Sequence, residues 1–140
     1  MITEDYVSFE TAKLLKEKGF DEPTVFRYGD YPDNDDLLFA PSGMAIVKNS
    51  ETQPYFYSAP TLQMAMKWLR EKHNKTIITG IKVTDPITGI IDYYYNGIYY
   101  VPKNNGGALC FTSPTPENGY STYEEACEAA IKYCLENLIN

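Results

Sequence analysis

The chain has 140 residues, 44% of them hydrophobic, and a formal net charge of −7. That length supports one ordinary core and the composition is globular, so a single domain is expected and disorder is not. The acidic balance opposes sequence-independent binding to nucleic acid, whose phosphates it would repel, and no apolar run approaches the ~18 residues that cross a bilayer.

The first helix is read from Ser8 to about Lys18 in "SFETAKLLKEKGF". Ser8 can cap the open amides, Glu10 suits the positive end of the helix dipole, and Gly19-Phe20 makes a stop with its own hydrophobic contact. Phe9, Ala12, Leu14 and Leu15 supply the buried stripe. Short β-like runs follow, "TVFRYG", "LLFA", "MAIVK" and "YFYSA", separated by turn-rich stretches. The second helix is read from about Thr61 to His73, with Leu62, Ala65, Met66, Trp68 and Leu69 on its apolar face and Asn74 as a left-handed stop.

Beyond it come "TIITGIKVT", the turn "DPITG", "IIDYYY", Asn96-Gly97 and "IYYVP". Asn-Gly between two β-like runs predicts a two-residue hairpin loop, pairing Tyr95 with Ile98 and Tyr94 with Tyr99. In that register Ile91, Tyr93, Tyr95, Ile98 and Tyr100 share the side expected to face the core. Ile90, Asp92, Tyr94, Tyr99 and Val101 share the other. The third helix follows a Thr122/Glu125 capping box, and Tyr123, Ala126, Cys127, Ala130, Ile131, Cys134, Leu135 and Leu138 form its stripe.

The predicted class is α+β: three amphipathic helices packed on small antiparallel β-meanders, in the order α-βββ-α-βββ-α. One domain spans 1–140, with a natural division into halves 1–74 and 75–140. Three cysteines make no disulfide framework. Cys127 and Cys134 would lie about 10.5 Å apart on one helix, beyond the ~7 Å reach of a bridge. They read as small core residues in a reducing compartment, and Cys110 as a strand residue of the same kind. With an acidic N-terminus, "MITEDYVSFE", where a secretory signal would be basic and then apolar, a cytoplasmic location is expected.

Few groupings suggest chemistry. His73, the lone histidine, has no Cys or Glu at ligand spacing and suits a helix end. The acidic loop "DYPDNDD" fails the calcium-loop pattern, which needs Gly where Asp35 stands and Glu where Pro41 stands. "NNGG", residues 104–107, precedes β-like sequence where a phosphate loop requires a helix. Glu124, Glu125 and Glu128 read as a hydrated acidic face at the start of the third helix. No metal or cofactor is implied. What remains is surface: the basic group Lys67, Arg70, Lys72 and Lys75 within a segment, 61–103, that carries 6 bases against 3 acids, and the tyrosine side Tyr94, Tyr99 and Val101. Tyrosine buries large area at low entropic cost and is enriched at protein interfaces.

Three stretches, "ITEDYVSFETAKLLKEKGFDEP", "APTLQMAMKWLREKHN" and "TYEEACEAAIKYCLENLI", together resemble a family of small uncharacterised proteins of gut Bacteroidales genomes and their prophages and mobile elements. The resemblance covers about two fifths of the chain and implies a bacterial or phage origin; it brings no catalytic residues with it. The functional expectation is a non-catalytic protein-interaction or accessory module of a phage or mobile element. Its partner is an unidentified protein; direct nucleic-acid or membrane contact is not expected, and a homodimer is compatible with the sequence. Two alternatives stand beside it: a small enzyme or small-ligand-binding protein with a site near Asp92, and an acidic nucleic-acid mimic that inhibits a host protein.

Overall fold

The first helix, α1, runs Phe9–Glu17 because both its ends are closed by side chains and backbone already present in the sequence. Ser8 Oγ accepts the Thr11 amide at 3.2 Å. Gly19 at φ 93° turns the chain so that the Phe20 amide reaches back to Leu15 O at 2.8 Å. The computed structural model describes residues 2–29, 38–39, 46–100 and 110–139 of the chain. Within them α2 spans Leu62–His73, capped by Thr61 and ended by Asn74 in the left-handed conformation, φ 56°. α3 spans Tyr123–Tyr133 and runs on into a π-helical turn, Cys134–Leu138. All three helices form where periodicity and capping residues place them.

Between α1 and α2, β1 (Arg27–Gly29) pairs antiparallel with β2 (Phe56–Ser58), Tyr28 facing Tyr57. Single bridges, Thr24 with Val47 and Arg27 with Phe39, fasten the intervening β-like runs. Buried Asn49 holds this small sheet to α1: its Nδ2 donates to Phe20 O at 2.8 Å and its Oδ1 accepts the Ser58 amide at 2.9 Å. The acidic loop 30–37 and the "NNGG" segment lie outside the described residues.

The second sheet has the order β3-β4-β5, with β3 at Lys75–Asp85, β4 at Ile90–Tyr100 and β5 at Cys110–Thr112, all antiparallel. Here the expected hairpin is corrected. β4 passes straight through Asn96 and Gly97, and the turn lies earlier, between Asp85 and Ile90. Asp85 Oδ1 accepts the Ile87 amide at 2.9 Å, and Gly89, at φ 73°, donates to Asp85 O at 2.9 Å. Neither Asn96 nor Gly97 has the positive φ that a two-residue loop demands.

Asn96 is held in the strand instead. It is 1% exposed. Its Nδ2 donates to Ala126 O at 2.7 Å, its Oδ1 accepts from Thr79 Oγ1 at 3.2 Å, its amide donates to Thr115 Oγ1 at 2.7 Å, and its carbonyl accepts from Ser113 Oγ at 2.6 Å. Every strong hydrogen-bonding group of the residue has a partner, so no turn competes for it.

A continuous strand splits the expected grouping of faces: Tyr93, Tyr94 and Tyr95 change sides, while Ile98 and Tyr99 stay where expected. Tyr94, Asn96 and Ile98, opposite Ile81, Thr79 and Ile77, face the helices: Tyr94 packs edge-on against Tyr123 at 6.5 Å, Thr79 Oγ1 lies 3.5 Å from Cys127 Sγ, and Ile98 is in the core. Tyr93, Tyr95, Gly97 and Tyr99, with Thr76, Ile78, Gly80 and Lys82, form the outer face. The core itself joins Val7, Leu15, Phe20, Leu62, Leu69, Ile98, Ile131 and Leu135, so both ends of the described chain contribute to one cluster. Burying each large aliphatic side chain there contributes about 1.5–3 kcal/mol.

Candidate functional site

The outer face of the β3-β4-β5 sheet carries a row of exposed apolar side chains. Ile78 is 51% exposed, Tyr95 44% and Phe111 59%. Tyr99 links them, its ring 5.2 Å from that of Phe111. Glycines let these rings lie flat. A Cβ on Gly80 would meet the Tyr95 ring at 2.5 Å, and one on Gly97 would meet the Phe111 ring at 2.8 Å. At the far end Lys82 Nζ stands 5.6 Å from the centre of the Tyr93 ring, itself packed over Gly119. Lys82 is the one formal charge among the described residues of this face.

The residues singled out from sequence are dispersed. Tyr94 and Tyr99 lie on opposite faces, because a strand without a turn at Asn96 puts adjacent parities on opposite sides. Val101 lies outside the described residues. Lys67, Arg70 and Lys72 are exposed on α2, but Glu22 and Glu71 share a concavity of about 290 Å³ with Lys67 and Lys72, so the local field is mixed. Lys75 begins β3 with Nζ 4.3 Å from the Tyr100 ring centre. Asp92 is exposed at a bulge where Lys82 pairs with Tyr93 and Val83 with Ile91, and it lines none of the four described concavities. His73 packs edge-on against Trp68 at 4.7 Å; burial, then the nearby Lys75, holds its imidazole below the usual histidine range.

A second feature was not legible as such in sequence. A concavity of about 480 Å³ is lined by Asp5, Tyr6, Ser8, Tyr120, Glu124, Glu125 and Glu128, among others. Glu128 is not simply hydrated: Oε1 accepts the Ser8 amide at 3.0 Å and the Thr11 hydroxyl at 2.6 Å, while buried Oε2 has no hydrogen-bond partner. In α1 the residue three past the cap is Thr11, not Glu or Gln, so the acid that would complete a capping box comes from another helix. The signal was there: a serine cap lacking its acid, and a glutamate beside the buried stripe of α3.

Among the described residues no group of three or more His, Cys, Asp or Glu is arranged to hold a metal ion, and no helix is long and apolar enough to cross a membrane. No protein-family model, curated protein or solved structure matches the chain.

Proposed function

We propose that this is a non-catalytic protein-interaction module of a bacterial phage or mobile element, working in the host cytoplasm, and that the outer sheet face is its binding surface. The observation that carries the reading is the exposed row Ile78, Tyr95 and Phe111 on the sheet face opposite the one that meets α3. The partner is a protein with an apolar centre and an acidic rim. Rings resting over Gly80 and Gly97 offer flat area with little entropy left to lose, and Lys82 supplies the face's charge.

The test uses Ile78→Thr with Phe111→Thr, which replaces exposed apolar groups by a strand former. Tagged wild type and variant are used to capture proteins from a Bacteroidales lysate, and the retained protein is purified and titrated against both. The expected result is a partner bound by the wild type and bound about tenfold or more weakly by a folded variant. Equal affinity for the two overturns the reading.

A further inference from the structure

β3 is an edge strand of 11 residues, and the direction of its free hydrogen-bonding groups follows from its neighbour. The amide and carbonyl of Tyr94 bond to Tyr120, at 2.8 and 3.0 Å, and those of Asn96 bond to Thr115 and Ser113. Even-numbered residues of β4 therefore turn their backbone groups away from β3. By alternation Tyr93, Tyr95, Tyr99 and Gly97 bond to Lys82, Gly80, Thr76 and Ile78. Ile77, Thr79 and Ile81 consequently direct their amides and carbonyls outward, where no backbone group among the described residues pairs with them.

Edges of this kind are normally short, charged or kinked. This one has lysines only towards its ends, at 75 and 82, and bulges only past Lys82. Between them stands "TIITGI", uncharged, with five β-branched residues of six, and with Ile78 and Ile81 each about half exposed.

We infer that two copies of the chain join by antiparallel pairing of their β3 edges about Gly80, forming one continuous six-stranded sheet. The charge pattern selects that arrangement. Pairing about Gly80 overlaps the strand over its whole length and brings Lys75 of each copy to Asp85 of the other; parallel in-register pairing would oppose Lys75 to Lys75 and Lys82 to Lys82. The same register sets Thr79 against Ile81, whose outward amides and carbonyls are available to exchange. Gly80 meets Gly80 at the axis, without side chains to separate the strands. The pairing uses the strand edge, not the outer face, and stands independently of the proposed heterologous partner.

Sedimentation equilibrium over a micromolar to submillimolar range should show a species of twice the 15.9 kDa chain mass, with hydrogen exchange at Ile77, Thr79 and Ile81 slowing as concentration rises. Ile81→Pro, which removes an outward amide at a position where an edge strand tolerates proline, should weaken dimerisation about tenfold or more while circular dichroism stays unchanged. Lys75→Glu and Asp85→Lys should each weaken the homodimer, and the two variants mixed should recover it. A chain that stays monomeric throughout, or a dimer that folded Ile81→Pro leaves intact and whose three amides exchange at the monomer rate, overturns the inference.

Discussion

Glu128 closes the N-terminus of α1 from α3: its Oε1 lies 3.0 Å from the Ser8 amide and 2.6 Å from Thr11 Oγ1, although 120 residues separate it from Ser8. A local cap has become a tertiary contact, so orienting two helices and satisfying one helix end are the same interaction. Lys132 with Glu10 at 2.7 Å, further along the same pair of helices, is largely hydrated and does much less.

Glu128→Ala is therefore expected to destabilise the fold by about 1–3 kcal/mol, since it removes a charged acceptor and leaves an amide and a hydroxyl unpaired. Glu128→Gln keeps one acceptor and should lose less. Urea denaturation of the two variants measures the difference; equal, negligible losses would show that water replaces the carboxylate.

Asn96→Ala should be among the more damaging single substitutions outside the aliphatic core. It removes two hydrogen bonds, to Ala126 O and from Thr79 Oγ1, and leaves the Thr79 hydroxyl without its Asn96 acceptor, a loss of about 1–3 kcal/mol. Asn96→Asp places a carboxylate against the Ala126 carbonyl and should be no better. Were Asn96 a turn residue, either change would be mild, so denaturation midpoints distinguish the two placements directly.

Helix boundaries were readable because their determinants are local: Ser8, Thr61 and Thr122 cap, Gly19 and Asn74 stop, and the apolar period is unbroken between. Even so, Glu125 returns to Ser121, with Oε2 at 2.7 Å from its hydroxyl and 3.3 Å from its amide, rather than to the Thr122 amide of a standard box. The hairpin was misread for the opposite reason. Asn96-Gly97 is a strong local turn signal, but the partners that keep Asn96 in β4 come from β3, the 113–115 segment and α3, all remote in sequence. Once the turn moved to Pro86–Gly89, Tyr93, Tyr94 and Tyr95 exchanged faces while Ile98 and Tyr99 kept theirs. Tyr95 thereby joined the exposed surface, and Tyr94 left it.

Cys134 is fully buried, and burial pushes its thiol up to about 12. An unfolded thiol titrates near 8.5. Between those values the unfolded chain loses a proton that the folded chain keeps, so the unfolded state binds fewer protons and stability falls as pH rises. Below about 8.5 this contribution is constant. The native protein at mildly alkaline pH should leave Cys134 unmodified by iodoacetamide over a time in which denatured protein reacts completely, as peptide mass mapping would show. Rapid native modification would mean that the C-terminal π-helical turn opens readily.

The Gly80–Tyr95 pair allows the outer face to be tested without any partner. A methyl group on Gly80 would stand 2.5 Å from the Tyr95 ring, so Gly80→Ala must push the ring off its seat. Against that, alanine reduces the conformational freedom of the unfolded chain, which on its own favours folding by about 0.4–1 kcal/mol. Gly80→Ala in the wild type should therefore be destabilising, because the ring's packing over the strand is lost. In a Tyr95→Ala background the clash is gone and the same change should become neutral or stabilising. A double-mutant cycle in urea reads this as a coupling of about 1 kcal/mol or more. Additive effects would mean that Tyr95 already spends its time away from Gly80, leaving the face rougher and its flat ring unavailable to a partner.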